Sequence, residues 1–138
     1  AMSSDTKPKW SDSDRENIEH FRRSDDALRQ AVRIINADPS DRRPSILKPE
    51  ESQAVVALHK VALTEARQVD PDVLAKAHPE FPTQFTNNYF RYLQLMDQCQ
   101  SGAGTFSDQI AAQELHDKWI DWFNANKDNI RLPKRNPQ

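Results

Sequence analysis

Glycine and proline, the residues least compatible with a helix interior, are distributed along this chain in a way that leaves few folds open. Its 138 residues hold only two glycines, both in Ser101-Gly102-Ala103-Gly104, and nine prolines. The prolines stand at positions 8, 39, 44, 49, 71, 79, 82, 133 and 137, so residues 10–38, 50–70 and 83–132 are free of them. Proline costs about 3 kcal/mol in a helix interior and glycine about 1. The proline-free windows are helix-sized, and the glycines divide the last one near residue 103. The pattern predicts four long helices. It also excludes a GxGxxG turn and a GxxxxGK[ST] phosphate cradle, which need glycines in other places.

Ser11 or Ser13 is placed to cap a first helix running to about Ala37. Ile18, Phe21, Leu28, Val32 and Ile35 form a heptad seam, with Asp25 standing where an apolar residue belongs. A ladder of mostly alternating charge, Arg15, Glu19, Arg22, Asp26, Arg29 and Arg33, runs about 110° away and suits an exposed face. Pro49, Glu50 and Glu51 open a second helix, reaching Val69. Its apolar residues cover about 260° of the circumference, which predicts a central helix surrounded by the others.

Asp70-Pro71-Asp72 starts a short helical insert, closed by His78-Pro79. A third long helix follows Pro82 and ends near Gln100; a fourth, capped by Thr105 or Ser107, presents Ala111, Ala112, Leu115, Trp119, Trp122 and Phe123 to the core. The short glycine turn makes these two helices antiparallel neighbours. The expected fold is an all-α antiparallel four-helix bundle with a short insert between helices 2 and 3. One domain spans 10–132, between flexible segments 1–9 and 133–138.

Net charge is -2, and no run nears the roughly 18 apolar residues of a membrane span. Neither a membrane nor a nucleic acid is expected as a partner; the basic tail with Arg131, Lys134 and Arg135 lacks interleaved aromatics. The lone Cys99 suits a reducing compartment. The first 16 residues carry no apolar leader, so the expected setting is cytoplasmic, although an exported protein without its leader would read the same.

Four histidines are present. His20 faces Glu16 one turn away and reads as an exposed helix pair; His78, before a proline, has no partner in the sequence. Asp25, His59, Glu65 and His116 lie on or beside apolar faces, and buried charges must find partners or shift their pKa. They are either structural hydrogen-bonding groups or the polar lining of a ligand site. No Glu-x-x-His pair, HExxH run, CxxC pair or GxSxG elbow occurs, so neither a metal nor a cofactor is expected.

Phe90 points about 140° away from Phe85 on a regular helix, off the core face, as does Ile110. With Arg42, Arg43, Ile46 and Leu47 in the first connection they mark a contact surface. Glu114, Asp117, Asp121 and Asp128 form a one-signed stripe on helix four. The functional expectation is a non-catalytic protein-binding bundle of adaptor, regulatory, secretion-associated or immunity type, with a homodimer as one version. The alternative is a small-molecule or metal-binding bundle, conceivably enzymatic, that uses the polar core residues.

Overall fold

The computed structural model of the protein describes residues 9–36 and 48–135, and every regular element among them is helical. The order is α1 (Asp12–Ile35), α2 (Pro49–Ala66), α3 (Pro71–Leu74), α4 (Phe81–Gln84), a π-helical segment (Phe85–Phe90), α5 (Arg91–Gln100), α6 (Phe106–Asn126) and a 3₁₀ turn (Lys127–Asn129). The connection with Arg42, Arg43, Ile46 and Leu47 lies outside the described residues.

Local chemistry accounts for the helix ends. Ser11 accepts from the Asp14 amide at 3.0 Å while Asp14 accepts from the Ser11 amide at 3.2 Å, a capping box that starts α1. Thr105 and Asp108 repeat the device at α6. At the end of α5, Gly102 adopts a φ of 87°, which side-chain-bearing residues rarely take. Gly104 is required for a different reason: a Cβ there would meet Cys99 at 2.7 Å. Both glycines are therefore spent on one tight helix joint.

Contacts step down one helix as they climb the next. Asn17 meets Asp70, His20 meets Glu65 and Ser24 meets Ala62, so α1 and α2 are antiparallel along their length. On the far side of α2, His59 bonds Tyr92 and Lys60 pairs with Asp97 of α5 at 3.6 Å. The π segment and α5 in turn lie antiparallel to α6, with Tyr89 against Trp119 and Tyr92 against His116. The core is aromatic at its centre. Phe21 touches Phe81, Phe85, Tyr89 and Trp119 with ring centroids 5.3 to 6.2 Å apart.

Three expectations are corrected. Helix α2 is not central: it packs on α1 and α5 but leaves Ala57 and Val61 exposed. Alanines and valines widen an apolar arc without adding the area that forces burial, and the helix ends at Ala66, short of Val69. The third helix is not regular, because α4 passes into the π segment before α5. A wider π turn advances fewer degrees per residue, which swings Phe90 back to stack on Phe85 at 6.1 Å. Phe90 is half-buried against the core, not an outward residue.

The end of the chain also departs from expectation. Beyond the 3₁₀ turn, the Arg131 amide donates to the Ala77 carbonyl at 3.0 Å and Pro133 is buried, its carbonyl accepting from Arg22. Arg135 then grips Asp26 with two bonds of 3.1 Å. Residues 130–135 thus lie along α1 and cover Glu19 and Arg22, which a helix-only reading places on an open face.

Candidate functional site

The four polar candidates separate into two places. Asp25 of α1 and His116 of α6 both line a groove of about 260 Å³ between those helices. Leu28 and Val32 of α1, with Trp119 and Ile120 of α6, give the groove apolar walls; Arg29 and Arg33 stand at its α1 edge. The Arg29 Nε–H donates to Asp25 at 2.6 Å. Burial pushes the Asp25 carboxyl above the ordinary aspartate range, and the bond from Arg29 offsets that only in part.

His116 packs against Tyr92 with centroids 4.8 Å apart and the rings tilted by 40°, and Tyr92 connects it to the buried His59. The His59 Nδ1 lies 2.9 Å from the Val55 carbonyl, which can only accept, so Nδ1 carries the proton. Its Nε2 therefore accepts from the Tyr92 hydroxyl at 2.9 Å. Neutral His59 is fully satisfied in this arrangement. Burial lowers its pKa, with the Val55 carbonyl opposing and His116 adding to the effect. Burial likewise lowers His116, against the raising influence of Asp117 and Asp25. The groove brings together two guanidinium groups, the Asp25 carboxyl bonded to one of them, and the His116 imidazole. Two guanidinium groups one turn apart suit holding an anion.

Glu65 belongs elsewhere. It sits on the α1/α2 seam, where His20 Nδ1 reaches it at 2.7 Å and Arg23 Nε at 3.3 Å. Burial pushes this carboxyl up, but the bonds from His20 and Arg23 outweigh it and hold it below the usual glutamate range. His20 also lies 3.5 Å from Glu16, so the expected exposed pair is the outer edge of an inter-helix cluster. Helical periodicity on one strand of sequence does not say which neighbour arrives.

Two buried polar residues escaped the sequence reading. Ser24 is fully buried, its Oγ 2.7 Å from the Ala62 carbonyl and 2.8 Å from the Tyr89 hydroxyl. Since the carbonyl only accepts, Ser24 donates to it and accepts a hydrogen bond from the Tyr89 hydroxyl. Asn17 donates to the Asp70 carbonyl at 3.1 Å and accepts from its amide at 2.6 Å, holding the start of α3 against α1. Their positions one turn from Phe21 were the available signal.

On the surface, Glu114, Asp117 and Asp121 are exposed along the outside of α6, and Ile110 is 49% exposed on the same side. Phe106 is 75% exposed, a feature missed when the aromatics of this half of the chain are assigned to the core. Among the described residues no group of three His, Cys, Asp or Glu side chains is arranged to hold a metal ion, and no helix is long and apolar enough to cross a membrane. Compared with protein-family models, curated proteins and solved structures, the chain matches none.

Proposed function

We propose that this chain is a non-catalytic protein-binding helical bundle that meets its partner through the outer face of α6. The up-down order of α1, α2, α4–α5 and α6, each antiparallel to the next, supports a four-helix bundle with α3 as the insert. The lone Cys99 supports a reducing setting such as the cytoplasm. The functional reading rests on one observation. Phe106 and Ile110, one turn apart, project from α6 together with Glu114, Asp117 and Asp121. All five fall within about 80° of arc, opposite the buried Ala112 and Trp119.

Apolar anchors beside charges of one sign fit a partner segment that pairs an apolar side chain with lysines or arginines. The anchors supply burial, and the carboxylates supply steering and register. Such a surface suits an adaptor, regulatory, secretion-associated or immunity-type protein.

The test is affinity capture from native lysate with three baits: the natural chain, a Phe106→Ser, Ile110→Ser variant and an Asp117→Lys, Asp121→Lys variant. The four substituted residues are exposed, so circular dichroism is expected to show three unchanged folds. A specific partner is expected on the first bait and lost from both others. A set of captured proteins identical on all three removes this face from consideration. If the partner is a second copy, light scattering shows a concentration-dependent doubling of mass, abolished in the Phe106→Ser, Ile110→Ser variant.

A further inference from the structure

Helices α1 and α6 are joined mainly by long side chains, with Phe21 reaching Trp119 at 6.2 Å between ring centroids. Beside that contact, between the two helices, lies the groove of about 260 Å³. We propose that the groove binds a small carboxylate with an aromatic or branched apolar body.

Charge decides the class of ligand. Arg29 and Arg33, one turn apart on α1, contribute two fixed positive charges, and Asp25 contributes one negative charge. His116 is neutral at pH 7 because burial lowers its pKa. The lining is therefore cationic, and its complement is an anion. Asp25 engages Arg29 through Nε alone in their 2.6 Å bond, one of the five N–H donors that a guanidinium carries. The carboxylate so pins the arginine at the groove edge, and the terminal amino groups suit a second, incoming carboxylate. His116 offers a further polar contact from the α6 side, its ring held against Tyr92.

The apolar walls decide the rest. Leu28, Val32, Trp119 and Ile120 leave apolar surface in the groove, with Ile120 37% exposed. An apolar cavity of about 150 Å³ accommodates benzene. The present groove has room for a ring of that size and a short acidic arm. A bare inorganic anion would leave those walls wet, and a neutral hydrocarbon would leave the guanidinium edge unused.

Phenylacetate is a suitable probe, with phenylacetamide as its uncharged twin. Titrations followed by the Trp119 indole resonance in ¹H–¹⁵N spectra are expected to saturate with a Kd of about 1 mM, the range open to a ligand of roughly ten heavy atoms. Phenylacetamide is expected to bind at least about tenfold more weakly, as one charge-assisted hydrogen bond implies. Arg29→Gln should weaken phenylacetate by about tenfold and Arg33→Gln by about threefold, in spectra that otherwise remain native. Arg33 is exposed, so the second variant keeps the test valid if the first disturbs Asp25. Equal binding of acid and amide, absence of saturation, or indifference to both arginine substitutions overturns the proposal.

Discussion

The two seams that α1 makes, one with α2 and one with α6, use the same kinds of polar residue to opposite ends. Against α2, each polar group is matched at short range: Asn17 with the Asp70 backbone, His20 and Arg23 with Glu65, Ser24 with Ala62 and Tyr89. Against α6, Asp25 and His116 line a groove without bonding each other, and Asp25 turns to Arg29 of its own helix. The carboxylates register the difference. Glu65 is held below its ordinary pKa by partners across the seam, while Asp25 is held above it by burial. A closed seam fixes helix register; an open one leaves chemistry available.

The largest expected effect comes from the α1 residue at the centre of the aromatic core. Phe21→Ala removes the ring that touches Phe81, Phe85, Tyr89 and Trp119, and urea unfolding should show a loss of about 3–5 kcal/mol. A loss below 1 kcal/mol would mean that the core does not converge there. Next in size is the closed seam. Ser24→Ala strands the buried Tyr89 hydroxyl, at a cost of about 1–3 kcal/mol. Adding Tyr89→Phe should recover part of that, because the groups are one network; strict additivity in a double-mutant cycle would argue that they are not.

Acid should separate the seams further. Glu65 has a folded pKa below its ordinary 4.5, so the unfolded chain takes up that proton first. Its contribution is full above 4.5 and is lost as pH falls through the folded value. His59 and His116, lowered from 6.5, act in the same direction but begin at 6.5. Asp25 has the opposite sign: raised above 3.8, it is protonated first in the folded chain, which relieves the native state on acidification. Urea midpoints measured stepwise from neutral to acid pH should therefore decline in two stages in the natural chain. Glu65→Gln should flatten the lower stage, whereas Asp25→Asn should steepen it. Two variants with identical profiles would show that the seams do not differ.

The smallest stability effects belong to the surface. Phe106→Ser and Asp117→Lys should each change unfolding free energy by no more than about 0.5 kcal/mol, measured by urea titration. A larger loss would place those side chains in the fold, not on a recognition face.

Much of the local structure was legible because it depends on neighbours in sequence. The Ser11 and Thr105 caps, Pro49 opening α2 and the glycine joint at 102–104 are all short-range effects. The core-facing sides of α1 and α6 follow from their period; the period of one helix carries no partner for Asp25, His59, Glu65 or His116. A regular 100° step misplaces Phe90, because the backbone through Phe85–Phe90 is π-helical. Glu65 reads as a core residue from its own helix, which shows it apolar neighbours, while His20 and Arg23 arrive from α1.

The sequence by itself determined that the chain is helical and where its helices begin and break, because breakers and caps act within a few residues. Only the tertiary structure decided which helix lies at the edge, that residues 130–135 fold back over α1, and that Asp25 and His116 share a groove while Glu65 does not. Those outcomes depend on contacts between residues up to 111 positions apart, as for Pro133 and Arg22, and the period of a single helix carries no information about them.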